Sequence, residues 1–64
     1  MRSYSVYGIR EGVETLVTTV YTAEEGKIAH QLMRAQGFYD VIKVRDALGG
    51  ICFVYNLRTG EKIA

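Results

Sequence analysis

The residues able to do chemistry in this chain are few: one histidine, His30, one cysteine, Cys52, seven carboxylates and eight lysines and arginines. A general base at His30 needs a carboxylate or nucleophile converging on it, and at helical spacing only Glu25 and Arg34 stand near, five and four positions away. Cys52 lies among Ile51, Phe53 and Val54 with no Cys-x-x-Cys partner and no helix start before it to lower its pKa, so it reads as an inert thiol. One cysteine permits no internal disulfide, and with one histidine it does not reach the four ligands of a structural zinc site. Gly49-Gly50 lacks both the lysine of a phosphate loop and the spaced glycines of a dinucleotide fingerprint. The carboxylates Glu11, Glu14, Glu24, Glu25, Asp40, Asp46 and Glu61 are scattered and form no calcium loop or acid-base pair. The expectation is a protein that is not an enzyme and that uses no cofactor or metal.

Cations beside aromatic rings are the remaining chemistry, since they can hold phosphates and stack bases. Lys43 and Arg45 share one strand face, Arg58 and Lys62 flank the last turn, and Tyr7 and Tyr21 fall on a compatible face. Asp40, Asp46 and Glu14 dilute that field, and a formal charge of +1 with a pI near 7.9 offers no bulk attraction to nucleic acid. A small dimeric nucleic-acid-binding regulator is therefore the alternative reading rather than the first.

The elements that must position these groups follow from local pattern. Residues 4–9 and 13–21 are rich in Tyr, Val, Ile and Thr, with Arg10-Glu11-Gly12 between them, and read as a hairpin closed by a three-residue loop. Its expected register pairs Ile9 with Val13 and Val6 with Leu16. Thr22-Ala23-Glu24-Glu25 is a capping box and starts a helix of roughly four turns that Gly37 ends, with Phe38 folding back onto Leu32 or Met33. Ile28, Leu32 and Ala35 form its apolar stripe, flanked by Ala29, Met33 and Gln36, which leaves His30 solvated. Residues 39–46 and 51–57 form a second hairpin whose turn takes its unusual angles from Gly49 and Gly50. With Val44 opposite Phe53, one face collects Ile42, Val44, Ile51, Phe53 and Tyr55 as core. The other collects Val41, Lys43, Arg45, Cys52, Val54 and Asn56. Residues 58–61 read as a turn and 62–64 as a tail or a fragment of a fifth strand. The two strands flanking the helix should run parallel to each other.

The fold class expected is α+β in the order ββαββ: antiparallel hairpins forming a four-stranded sheet with one helix packed on one face. Sixty-four residues, 48% of them hydrophobic and 23% charged, make a single small domain over 1–64. No stretch approaches 18 apolar residues and residues 1–5 lack an apolar signal core, so the expected compartment is the cytoplasm.

The first hairpin is apolar on both faces, with Tyr4, Val6, Leu16 and Val20 on one and Tyr7, Ile9, Val13, Val17 and Tyr21 on the other. One helix covers only one side of such a sheet, so one set must face water, a second copy or another protein unless loops, twist and the terminal segments bury part of it. The leading expectation is a non-catalytic binding protein, a homodimer or a partner of a host protein. Its apolar anchors are Tyr7, Ile9, Val13, Val17 and Tyr21, and Lys43, Arg45 and Arg58 form the polar rim.

From Thr22 onward the layout resembles very small phage-encoded anti-CRISPR proteins of ββαββ fold. The likeness lies in the capped helix, Gly37-Phe38 leading into a strand with Val41, Val44 and Arg45, the Gly49-Gly50 hairpin, the strand ending at Tyr55, and the closing Gly60-Glu61-Lys62. The resemblance implies a mobile-element origin and a non-enzymatic inhibitor that attaches to a subunit of an RNA-guided surveillance complex. It places Lys43, Arg45 and Arg58 where such proteins carry functional basic residues.

Overall fold

The computed structural model describes residues 2–64. Two strands, β1 (Tyr4–Arg10) and β2 (Val13–Val20), precede the helix α1 (Ala23–Gln36), and β3 (Val41–Asp46) and β4 (Ile51–Asn56) follow it. The strands form one antiparallel sheet in the order β2-β1-β3-β4. β2 and β3 therefore run parallel to each other with β1 between them, and the helical connection passes over β1. Among the described residues no helix is long and apolar enough to cross a membrane.

The first turn is tighter than the three-residue loop expected from Arg10-Glu11-Gly12. Arg10 pairs with Val13, leaving only Glu11 and Gly12, at φ 52° and 79°. Two successive left-handed residues define a type I′ turn, whose twist matches that of the strands it joins. Glu11 accepts a conformation that disfavours side chains, and its amide gains the Asp40 carboxylate, 3.3 Å away, as an acceptor.

That turn shifts the expected register. Ile9 faces Glu14 rather than Val13, and Val6 faces Thr18 rather than Leu16. A bulge then intervenes: Val6 pairs with Thr18 but Tyr7 pairs with Leu16, so Val17 is the extra residue and Leu16 moves to the face of Tyr7. In the second hairpin Val44 faces Phe53, as expected, and Ile42 faces Tyr55. A second bulge sets Arg45 opposite Ile51. Ile51 therefore leaves the core face to which the alternation assigned it, while Cys52 joins Tyr4 and Phe53 on the helix side. Both corrections have one cause: an inserted residue inverts every side chain beyond it. Past β4, Ile63 and Ala64 exchange backbone hydrogen bonds with Val54, and Lys62 bridges to Tyr55, forming the fragment of a fifth strand.

The helix begins as its capping box requires. Thr22 Oγ1 accepts from the Glu25 amide at 3.1 Å, and Glu25 Oε1 accepts from the amides of Thr22 and Tyr21 at 3.2 and 2.7 Å. Gly37, at φ 69°, ends it by donating to the Met33 carbonyl. The face it buries is not the expected one. Ile28 and Leu32 remain 52% and 56% exposed and Ala35 is exposed, whereas Met33 is buried and Gly26, Ala29 and His30 are half-buried. Small residues at 26 and 29 let the helix approach the sheet; a Cβ at Gly26 would sit 3.9 Å from Val20. Met33 then reaches the core of Val6, Val20, Ile42, Val44 and Leu57. Ile28 and Leu32 are bulkier and lie on the far side.

The ring of Tyr39 closes one end of this core by lying over Gly8, where a Cβ would come within 2.5 Å of its Cγ. Phe38, expected against Leu32 or Met33, meets Tyr39 edge-on at 4.9 Å and carries the Arg10 guanidinium 4.2 Å above its ring. Glycine in a central strand is here the space an aromatic ring occupies. Gly8→Ala should therefore force Tyr39 off the sheet and cost about 1–3 kcal/mol, visible as a lower melting temperature. Gly8→Ala together with Tyr39→Ala should lose less than the two single variants summed.

Candidate functional site

The sheet face opposite the helix carries an apolar band across every strand. By register it runs from Leu16 and Val17 at the β2 bulge, through Tyr7 and Ile9 on β1 and Val41 on β3, to Val54 on β4 and Ile63 beside it. Leu16 is 55% exposed, and Val17 and Ile63 are likewise open to solvent. Val54 is only 8% exposed yet lies outside the core cluster. It is covered on the outer face by its strand neighbours, so the sheet has a small second apolar layer with no helix above it.

Charges cross this band in paired form. Glu14 on β2 reaches over β1 to Lys43 on β3, with Oε1 and Nζ 2.9 Å apart. Arg45 Nη1 donates to the Gly49 carbonyl at 3.0 Å, and its guanidinium lies 6.0 Å from the Tyr7 ring. The Glu14–Lys43 pair contributes at most about 1 kcal/mol and offsets the Lys43 charge, whereas Arg45 has no acidic partner on this face.

Of the residues expected to bind a partner, Tyr7, Ile9, Lys43 and Arg45 share this face, and Val17 lies at its β2 margin. Three others are placed elsewhere. Val13 is exposed at the hairpin tip opposite Arg10, on the helix side of the sheet by register. Tyr21 is exposed in the link between β2 and α1. Arg58 lies at the opposite end of β3 from Arg45, where its Nε donates to Asp40 Oδ1 at 2.7 Å. Sequence reasoning placed Val54 on this face with Lys43 but not among the binding residues, and it missed Leu16 and Ile63. The available signal was their apolar type, but bulge position decides the face of Leu16 and the docking of the C-terminal segment that of Ile63.

Asp40 gathers the other end of the sheet. Its carboxylate accepts from Arg58 and from the Glu11 amide, its own amide donates to the Ile9 carbonyl, and its carbonyl accepts from the Leu57 amide. The Arg58 hydrogen bond, then that from Glu11, holds the Asp40 carboxyl below the usual carboxylate range.

On the helix side, α1 packs on β1 and β2. A half-open groove of about 590 Å³ remains beside it over β3 and β4, and both His30 and Cys52 line it. His30, expected in solvent, instead faces the aromatic residues of β4, with its ring 5.2 Å from Tyr55 and 6.4 Å from Phe53. Burial, and secondarily the Arg34 charge, push its pKa down. Among the described residues no cluster of three or more His, Cys, Asp or Glu side chains is arranged to hold a metal ion.

The fold is thus an open α+β sheet with one helix, and comparisons with family models, curated proteins and solved structures return no match.

Two pH effects follow. A depressed folded pKa means that the Asp40 contribution is full above the unfolded carboxylate value and is lost as pH falls through the folded one. Wild type and Asp40→Asn should therefore converge in stability below about pH 4, measured by urea midpoints. His30 should titrate by NMR below the usual imidazole value of about 6.5. By the same sign rule, its protonation should destabilise the fold as pH falls through that lower value, and His30→Leu should remove this dependence.

Proposed function

We propose that this chain is a non-catalytic protein-binding domain whose working surface is the outer face of its sheet. The observation that carries this reading is the exposure of Leu16, Val17 and Ile63 on a sheet face with no helix above it, framed by Lys43 and Arg45. Burying one large aliphatic side chain removes about 1.5–3 kcal/mol of unfavourable hydration, so Leu16, Val17 and Ile63 together are a sufficient anchor for a partner or a second copy. In its specific form the reading is an inhibitor that occupies a host protein complex, in the manner of the small phage-encoded proteins that the sequence resembles.

Nucleic-acid binding has less support. Lys43 is engaged by Glu14, Arg58 by Asp40, and Arg45 by a backbone carbonyl. Among the described residues no row of free cations follows the sheet, as a phosphate track would require.

Leu16→Glu adds charge at an exposed bulge and should leave the fold intact. Sedimentation of the wild type should show self-association that persists in high salt, and Leu16→Glu and Tyr7→Asp should both be monomeric with unchanged circular dichroism. If the wild type is a monomer, a photo-crosslinker at position 16 in the host cell should capture protein well above one at Thr59. A monomer with equal capture at both positions overturns the reading. Association that weakens steeply with salt points to the phosphate-binding alternative instead.

A further inference from the structure

The groove beside the helix is independent of the outer face and has a distinct chemical character. Its floor is the inner face of β3 and β4, with Val44, Phe53 and Tyr55, and its margins carry Lys27, His30 and Lys62. Among the described residues no carboxylate lines it. Lys43 and Arg58 are the two cations matched to acidic partners among the described residues; of the unpaired ones, Lys27 and Lys62 are those that line this groove. In a chain of net charge +1, two unmatched ammonium groups bordering an aromatic floor are a local anion-attracting site.

The shape fits a small molecule. A volume of about 590 Å³ lies in the range of small-ligand clefts, which combine apolar walls with a few placed polar groups. Phe53 and Tyr55 meet edge-on at 5.3 Å, and His30 is tilted over Tyr55. A flat ring laid against them gains aromatic contact, and a carboxylate at its edge reaches the lysines. We propose that this groove binds small aromatic carboxylates, with the ring body on Phe53 and Tyr55 and the carboxylate between Lys27 and Lys62.

The test is an amide-shift titration of the full chain with 2-naphthoate, 2-naphthylmethanol and 2-naphthylmethylammonium, which share a ring and differ in charge. Saturable shifts centred on Gly26, Lys27, His30, Phe53 and Tyr55 are expected with naphthoate. Its affinity should be several-fold above that of the alcohol, and the ammonium compound should be weakest. Lys27→Glu with Lys62→Glu, both exposed positions, should keep the dispersed spectrum and lose the preference for the anion. Leu16→Glu should bind naphthoate as the wild type does, which separates this site from the outer face. Equal affinity for the three probes, shifts that do not saturate, or shifts centred on Leu16 or Ile28 overturn the proposal.

Discussion

Width is the constraint on which the rest of this structure depends. Four strands at about 4.8 Å spacing make a sheet roughly 19 Å across, while one helix with its side chains is about 10–12 Å thick. α1 can therefore cover about half of one face, and it covers β1 and β2. The inner side of β3 and β4 is left as a groove with an aromatic floor, and the outer side of the sheet has no helix over it. Both surfaces follow from a single helix lying on a four-stranded sheet.

Two bulges determine what those surfaces carry. The one at Val17 turns Leu16 outward beside Tyr7, and the one after Val44 turns Ile51 outward beside Arg45. Without them, strict alternation would place both aliphatic residues on the helix side, and the outer face would hold fewer anchors. Bulges also raise local twist, which suits a small open sheet bent around a single helix. On the outer face Lys43 is matched by Glu14 while Arg45 keeps its charge beside Tyr7, so the recognition character is apolar residues interrupted by one paired and one unpaired cation.

The ends of the sheet are held by single residues rather than by mass of core. Asp40 ties the β1–β2 turn, the end of β1, the end of β4 and Arg58 together through four hydrogen bonds. At the other end Asp46 Oδ1 accepts from the amides of Leu48 and Gly50 and closes the β3–β4 turn. With Val6 and Ile42 the only larger side chains fully buried among the described residues, such ties fix registers that packing alone would hold loosely.

The order ββαββ, the capped start of α1, the glycine that ends it and the pairing of Val44 with Phe53 are legible in the amino-acid sequence. Each is set by interactions a few residues long: a hydroxyl to an amide three positions on, a left-handed glycine, alternation along one strand. The face the helix buries is not legible in that way. Ile28 and Leu32 make the stronger apolar stripe, but the helix seats on β1 and β2 through Gly26 and Ala29, and that brings His30 and Met33 inward. Strand order, the two bulges and the outward turn of Leu16 are likewise tertiary decisions. They rest on which backbones come within hydrogen-bonding distance once the chain has closed, and no local spacing encodes that distance.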